Sequence, residues 1–379
     1  MILQPFLTRS QQSIFTPRDS VNPQIHPDKS VTFKIKDSLA KEIAILGDWM
    51  PLNGFTAEPV TMKNDGKGNW TYTTEPLKSD MHIYRLIVDG YTTTDAMNPF
   101  VIRDVSTLYN VFLVPGGNAD LYAVNDVSHG TVAERWYNSP GNNMQRRLTV
   151  YTPPGYENSD QKYPVLYLLH GAGGDETAWM TLGRATQILD NLIAQGKARP
   201  MIMIMPNGNV SQQAAPGEGI KGYYQPQFIM PKTMDGTYEE TFTDIMKFVA
   251  ENYRIMAGKE NTAIAGLSMG GYHSLHISRY YPNTFNYIGL FSAATLPTKD
   301  KKSIVYENID ETLIRQKENG YALYWIGMGK DDFLYKSGKQ YTEKLDSLKM
   351  PYEYHESEGG HIWSNWRDYL IIFLQKIFK

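Results

Sequence analysis

The sequence has no cysteine among its 379 residues. This absence excludes thiol catalysis, thiolate metal sites and disulfide bonds, but it leaves the compartment open because exported proteins often lack disulfides. No apolar run approaches the ~18 residues that a membrane-spanning helix needs. The segment Met1–Ser20 is polar, contains two prolines and lacks the pattern of a signal peptide.

An excess of charge of one sign is also missing. The chain carries 37 Lys and Arg against 40 Asp and Glu, for a net charge of −3. Nothing therefore indicates nucleic acid or an anionic membrane as a partner. The hydrophobic fraction of 41% is ordinary for a globular protein, and the length suits two domains.

The first part of the chain is built from short, turn-punctuated segments. Ser30–Lys36 and Met81–Val88 alternate apolar and polar residues with period two, and Asp65-Gly66 is a hairpin signal. We expect an N-terminal extension over residues 1–20. An all-β, immunoglobulin-like sandwich is expected over residues 21–114.

The pattern changes after Pro115–Ala119, and we expect a linker over residues 115–129. In residues 130–379, apolar strands alternate with amphipathic segments such as Tyr238–Tyr253. This alternation predicts an α/β domain with a mostly parallel sheet covered by helices on both faces. The expected strands are Arg147–Tyr151, Tyr163–Leu169, Met201–Met205, Thr262–Ala265, Tyr287–Phe291, Tyr321–Met328 and Tyr352–Ser357.

Residues Gly266–Gly270, Gly-Leu-Ser-Met-Gly, fit the G-x-S-x-G pattern of a nucleophilic serine. The pattern alone is weak, but a strand over Thr262–Ala265 precedes it and a helical stretch over Gly271–Tyr281 follows. That setting is the strand–turn–helix that lifts a serine Oγ clear of the sheet in an α/β-hydrolase fold. Ser268 is therefore the predicted nucleophile.

A glycine-rich loop after the strand at Tyr163–Leu169 predicts an oxyanion hole. Two backbone N–H groups must face the negative oxygen of a tetrahedral intermediate. One comes from the residue after the nucleophile, Met269, and the other from this loop, with Ala172 preferred and Gly171 as the alternative. His170 precedes the loop and is expected to be structural.

The general base should lie after the last strand, where His361 sits on a glycine-rich loop before a C-terminal helix. The acid should follow the preceding strand, where Asp331 and Asp332 are both candidates. We prefer Asp332. His273 and His276 lie three apart on one helix face, but no third ligand is evident, and we expect no metal and no cofactor.

Five motifs of the C-terminal part, HGAGGDETAW, MPNGN, GLSMGG, GKDDFL and GGHIWSNWRDYL, occur in the order found in carbohydrate esterase family 1. Residues 130–379 resemble this group of feruloyl and acetylxylan esterases, which is related to enterochelin esterases. The resemblance implies a serine esterase whose acid lies three residues after Gly329, and this supports Asp332.

The N-terminal motifs PQIHPDKSVTF, GDW, GNWTYTTEPL and YRLIVDG are similar to glycogen-branching-type carbohydrate-binding modules. This second resemblance implies an exported enzyme, periplasmic or secreted, that acts on feruloylated or acetylated arabinoxylan. Aromatic residues of this part form either core or a sugar platform. They are Trp49, Trp70, Tyr84 and Tyr91.

The acyl group is expected to be aromatic, feruloyl or p-coumaroyl, in preference to acetyl. The reasons are the family resemblance and four aromatic residues near the predicted site that could stack on a phenolic ring or a sugar, namely Trp179, Tyr223, Tyr224 and Trp363. The insertion Asn209–Gly236 suits a loop over the pocket. The alternatives are an acetylxylan esterase, a siderophore or small-ester esterase, a serine peptidase of the same fold, and an inactive glycan-binding protein.

Overall fold

The computed structural model describes residues 22–53, 56–220, 222–295 and 303–379, and the predicted extension over residues 1–20 lies outside them. The chain divides into two compact units. Val101 and the described residues before it form the N-terminal unit together with Tyr109–Val114, while Ile102–Leu108 and Pro115–Lys379 form the C-terminal unit.

The N-terminal unit is all β. One sheet has the strand order β1-β2-β8-β7, and the other has the order β11-β12-β9-β3-β6 with β10 paired to β9. The strands are β1 (Gln24–Ile25), β2 (Val31–Lys36), β3 (Ile43–Gly47), β4 (Leu52–Asn53), β5 (Thr56–Ala57), β6 (Val60–Thr61), β7 (Lys63–Asn64), β8 (Asn69–Thr73), β9 (Met81–Val88), β10 (Tyr91–Thr93), β11 (Val101–Asp104) and β12 (Thr107–Leu113).

Aromatic side chains fill the core of this unit. The ring of Phe33 lies 4.8 Å from that of Tyr84 and is stacked on Trp49 at 5.6 Å. Trp70 is buried in the same cluster, and its indole N–H donates to the Asp37 carbonyl at 2.9 Å. Of the four aromatic residues named as core or sugar platform, Trp49, Trp70 and Tyr84 thus belong to the core, and Tyr91 is exposed.

The C-terminal unit is built on an eight-stranded sheet of order β13-β14-β16-β15-β17-β18-β19-β20. The strands β15 to β20 run parallel, whereas β13 and β14 form an antiparallel edge. The strands are β13 (Thr131–Ser139), β14 (Met144–Thr152), β15 (Val165–Leu169), β16 (Ile202–Pro206), β17 (Thr262–Leu267), β18 (Tyr287–Phe291), β19 (Leu323–Gly329) and β20 (Glu353–Ser357).

Helices cover both faces of this sheet. Ile288 of β18 joins the core cluster that contains Leu275 of α5, while the ring of Phe291, on the alternate face, lies 5.7 Å from Phe373 of α8. The helices are α1 (Ala178–Thr181), α2 (Ala185–Ala194), α3 (Thr237–Glu240), α4 (Phe242–Asn252), α5 (Met269–Tyr280), α6 (Ile309–Asn319), α7 (Tyr335–Ser347) and α8 (Trp363–Leu374). Among the described residues no helix is long and apolar enough to span a membrane.

Two features differ from the sequence-based expectations. Strand β13 was not predicted, because most of its side chains are polar and exposed, yet it pairs with β14 along its whole length, from Thr131 opposite Thr152 to Ser139 opposite Met144. Ile102–Leu108, expected within the sandwich, packs with the C-terminal unit. The reason is an ion pair between Arg103 and Asp175.

Candidate active site

The predicted nucleophile lies on a sharp turn between β17 and α5. Ser268 has φ 52° and ψ −115°, a region that costs a non-glycine residue on the order of 1–3 kcal/mol. The flanking glycines make this turn possible. A Cβ on Gly266 would lie 2.4 Å from the backbone of Gly270, and a Cβ on Gly270 would lie 2.4 Å from the Leu169 carbonyl oxygen.

Three polar side chains from separate loops form a continuous hydrogen-bonded chain. The Nε2 of His361 lies 2.9 Å from the Oγ of Ser268. The Nδ1 of the same ring lies 2.9 and 3.0 Å from the two carboxylate oxygens of Asp332. With Nδ1 donating to the carboxylate, Nε2 presents its lone pair to the serine hydroxyl, which is the tautomer a general base needs.

The structure separates the two candidate acids clearly. Asp332 is buried, contacts His361 and also accepts a hydrogen bond from the Leu334 N–H at 2.8 Å. Asp331 is exposed, and its backbone N–H donates to the Gly359 carbonyl at 3.0 Å. The carboxylate of Asp332 is therefore the one that can orient the imidazole.

The glycine-rich loop after β15 lies against the nucleophile. Gly171 and Ala172 line the same cavity as Ser268 and His361. Met269 is the first residue of α5, so its N–H has no acceptor within the helix. These N–H groups are the ones named from the sequence as candidates for the oxyanion hole.

His170 anchors this loop from beneath. Its Nδ1 donates to the Gly171 carbonyl at 2.7 Å, and its Nε2 accepts from the Gly208 N–H at 2.8 Å. Burial lowers the pKa of His170 to about 4, so the ring is neutral near pH 7, as both hydrogen bonds require. This position matches the structural role expected from the sequence.

Buried charges on β14 and after the oxyanion loop hold the next loop in place. Arg147 pairs with buried Glu176 at 2.7 Å, and Glu176 also accepts from the Ala215 N–H at 2.8 Å. The neighbouring Arg146 donates to three backbone carbonyls of the loop that starts the insertion. They belong to Asn207, Asn209 and Gln212. Neither arginine was singled out from the sequence.

The cavity above the serine has a volume of about 190 Å³ and is partly open to solvent. Both apolar and charged residues line it. The lining residues are Arg103, Asp104, Val105, Gly171, Ala172, Gly173, Gly174, Asp175, Thr177, Ala178, Leu182, Phe228, Leu267, Ser268, His361, Trp363 and Trp366.

The four aromatic residues predicted to contact substrate occupy different environments. Trp363 lines the cavity. Trp179 does not, since it is 1% exposed and its indole N–H donates to the Leu169 carbonyl, and this corrects its expected position. Its ring packs behind Trp363 at 5.4 Å. Tyr223 is 95% exposed, and the hydroxyl of Tyr224 donates to the Ala214 carbonyl of the insertion. Neither tyrosine is among the residues that line the cavity.

Several cavity residues escaped the sequence analysis. Phe228 of the insertion is one of them, and Arg103, Asp104 and Val105 come from a turn more than 60 residues before the oxyanion loop. No motif marks that turn. The ring of Phe333 lies 4.5 Å from that of His361. The sequence could have indicated this contact, because Phe333 directly follows Asp332.

The histidine pair on α5, His273 and His276, contacts protein side chains outside the cavity. The Nδ1 of His273 lies 2.8 Å from buried Glu239, and the Nδ1 of His276 accepts from Arg279 at 2.8 Å. Within the described residues, no group of three or more His, Cys, Asp or Glu side chains is arranged to hold a metal ion.

Comparisons with known proteins find relatives that are named as esterases. The chain is 30% identical over 367 residues to an "Endo-1,4-beta-xylanase/feruloyl esterase" of Xylanibacter ruminicola, covering 94% of this chain and 46% of that protein. It is 24% identical to "Esterase Rv1288" of Mycobacterium tuberculosis over 57% of this chain and 52% of that one. The chain thus spans about half the length of these curated relatives.

Solved structures give the same fold. The CE1 ferulic acid esterase of Anaeromyces mucronatus, in complex with ferulic acid, is 28% identical with a TM-score of 0.57, over 68% of this chain and 95% of that one. The enterobactin esterase of Shigella flexneri has a TM-score of 0.64 over 94% and 96% of the two chains. At 14% identity, that second likeness shows the fold alone.

The model of the family Esterase, described as "Putative esterase", matches residues 139–377, which is more than half of the chain and includes Ser268, Asp332 and His361. The protein therefore belongs to the Esterase family, and its C-terminal unit has the α/β-hydrolase fold.

Proposed function

We propose that this protein is a serine esterase that hydrolyses carboxylic esters through an acyl-enzyme, with Ser268 as nucleophile, His361 as general base and Asp332 as the carboxylate that orients the base. The observation that carries the proposal is the hydrogen-bonded chain from Asp332 through His361 to Ser268, which ends in an open cavity. This arrangement supports the three proposed roles, because each of them needs a hydrogen bond at that position.

Acylation begins when the Oγ of Ser268 attacks the ester carbonyl carbon and its proton passes to Nε2 of His361. The carbonyl oxygen becomes an oxyanion, stabilised by the N–H of Met269 and an N–H of the loop at Ala172 or Gly171. Losing one such donor costs about 3–4 kcal/mol in enzymes of this kind. The intermediate then collapses, and His361 returns the proton to the departing alcohol.

Deacylation repeats these steps with water as the nucleophile. His361 takes a proton from water, the resulting hydroxide attacks the acyl carbon, and the proton returns to the Oγ of Ser268 as the acid leaves. The buried Asp332 carboxylate stabilises the imidazolium twice in each cycle. Phe333 and Trp366 pack against the His361 ring, with centroids at 4.5 and 4.9 Å, and restrict its rotation.

The proposed substrate is a hydroxycinnamoyl ester of arabinoxylan. Support comes from the relative named xylanase/feruloyl esterase and from the 28% identical ferulic acid esterase. Within the cavity, Trp363 and Phe228 offer flat apolar surfaces for an aromatic acyl group. Acetylated xylan is the second candidate, because an "Acetyl esterase" of Caldicellulosiruptor saccharolyticus is 24% identical over 54% of this chain.

The domain arrangement is proposed along with the activity. Residues 21–114 would act as a module resembling a carbohydrate-binding module, apart from the turn Ile102–Leu108, which belongs to the C-terminal unit. Residues 115–129 would act as a linker and residues 130–379 as the catalytic domain. Export to the periplasm or the medium follows from a polymeric substrate, which does not cross a membrane intact. Similarity of the N-terminal motifs to carbohydrate-binding modules supports both parts of this proposal.

The activity is tested by comparing the wild type with Ser268→Ala on methyl ferulate and on acetylated xylo-oligosaccharide. We expect Ser268→Ala to lower kcat by about 10³-fold or more while thermal unfolding stays close to that of the wild type. A variant that keeps a tenth of the activity would reject Ser268. A wild-type kcat/KM more than tenfold higher on the acetylated substrate would reassign the enzyme to acetyl esters.

A further inference from the structure

The turn between β11 and β12 forms one wall of the catalytic cavity. Val105, at the start of this turn, has φ 51°, a left-handed conformation that a β-branched side chain rarely adopts. A strained residue of this kind persists only where the surrounding structure enforces it. Its side chain lies over Gly173, where an added Cβ would come within 2.6 Å of the valine methyl group.

Arg103 fixes this turn to the oxyanion loop. One guanidinium nitrogen donates to the Val105 carbonyl at 2.8 Å, and another pairs with the carboxylate of Asp175. Asp175 is buried and also accepts from the N–H and the hydroxyl of Thr177. Burial opposes its ionisation, but Arg103 and Thr177 outweigh burial and lower the pKa of Asp175. The Asp175 carboxylate is thus occupied.

Asp104 lies between Arg103 and Val105 in the chain and faces the catalytic cavity. Its side chain lines the same cavity as Ser268 and His361 and is half-buried. Burial raises the pKa of Asp104, and the charge of Arg103 and a hydrogen bond from the Val105 backbone N–H offset that effect only in part. A carboxylate desolvated in this way gains most from a hydrogen-bond donor that arrives with the ligand.

From these contacts we infer that Asp104 is a specificity residue of the esterase, whose carboxylate accepts a hydrogen bond from a hydroxyl group of the bound ester. Val105 and Arg103 are positioning residues that hold it against the oxyanion loop. The inference rests on the proposed function, because it takes the cavity above Ser268 as the place where the ester binds. The hydroxyl belongs either to the phenol of the acyl group or to the sugar of the alcohol.

The two sources of the hydroxyl can be separated by two ratios of kcat/KM. The first ratio compares methyl 4-hydroxycinnamate with methyl cinnamate, which lacks the phenol. The second compares feruloyl-arabinose with methyl ferulate, which lacks the sugar. Each ratio is an internal control, since a general loss of activity cancels. Asp104→Asn removes the charge, Asp104→Leu removes the acceptor, and Asp126→Asn changes an exposed carboxylate outside the cavity.

We expect at least one ratio to fall fivefold or more in both Asp104 variants and to stay within twofold of the wild type in Asp126→Asn. A fall in the first ratio assigns the contact to the phenol, and a fall in the second assigns it to the sugar. If both ratios change less than fivefold, Asp104 does not accept a hydrogen bond from a hydroxyl group of the bound ester. Should Asp104→Leu fail to fold, Asp104→Asn decides.

Failure of the underlying function would look different. Turnover of methyl ferulate by Ser268→Ala at the wild-type rate would remove the proposed esterase site itself. Turnover that depends on Ser268 but has unchanged ratios in the Asp104 variants would remove only the role of Asp104.

Discussion

At the scale of single residues, burial distinguishes the two neighbouring carboxylates that follow β19. Asp332 is buried against the His361 ring, while Asp331 points to solvent. We expect Asp332→Asn to lower kcat by about 10³- to 10⁴-fold, because the amide no longer stabilises the imidazolium and favours the wrong tautomer. Asp331→Asn should stay within about threefold, and equal losses in side-by-side kinetics would contradict this assignment.

The sequence marks Ser268 and His361 as candidates, because glycines and a strand lie beside each of them. It could not determine which aromatic ring faces the cavity. Trp179 and Trp363 both lie within a motif, yet one is buried behind the other, with ring centroids 5.4 Å apart. Only the packing of α1 against α8 decides between them, and that packing depends on residues distant in sequence.

At the scale of elements, the crossing of α5 over the end of β15 depends on Gly270. A Cβ at this position would lie 2.4 Å from the Leu169 carbonyl oxygen and 2.5 Å from that of His170. We expect Gly270→Ala to destabilise the protein by about 1–3 kcal/mol, since backbone must move.

Its control is Gly219→Ala, whose Cβ would lie 3.4 Å from the Gln213 side chain, an ordinary contact. The free energy of unfolding in urea should change by less than about 0.5 kcal/mol there. Similar values for the two variants would show that the close approach at Gly270 is easily relieved.

The elements themselves differ in how well the sequence predicted them. The buried strands were predicted to within a few residues, as for Tyr287–Phe291, because continuous apolar runs between helices admit few other structures. Strand β13 was not predicted, because its residues are mostly polar. The turn at residues 102–108 escaped for another reason, since its partners at residues 171–175 are joined to it by charge and shape without a sequence motif.

At the scale of the whole molecule, His170 links folding stability to pH. Burial lowers its pKa from 6.5 to about 4, so between these values the unfolded chain binds a proton that the folded protein does not. Stability is therefore lost as the pH falls through this window, by about 2 kcal/mol between pH 7 and pH 5 from this residue alone.

Urea unfolding of the wild type and of His170→Gln at both pH values measures this contribution. The variant should be less stable at pH 7, and its stability should depend less steeply on pH. Equal pH dependence in the two proteins would show that His170 titrates alike in the folded and unfolded states.

The catalytic cycle proposed here uses only side chains and backbone N–H groups, so chelation offers a further test. We expect full esterase activity after dialysis against EDTA, measured on methyl ferulate, and no increase when calcium, magnesium or zinc is added back. Activity that disappears on chelation and returns with one divalent ion would require a different mechanism.

The hydrogen bonds of Arg146 bear on how the substrate range of this enzyme can change by mutation. The arginine side chain donates hydrogen bonds to the backbone carbonyls of Asn207, Asn209 and Gln212. Every amino acid has such a carbonyl. Because these three contacts use only backbone carbonyls of the loop, they do not depend on the side chains further along the insertion. The Asn209 side chain does contribute, since it donates to the Gly174 carbonyl at 2.8 Å. New side chains can accumulate further along the insertion without disturbing Ser268, so substrate range can drift or be engineered through the insertion while the chemistry remains constant.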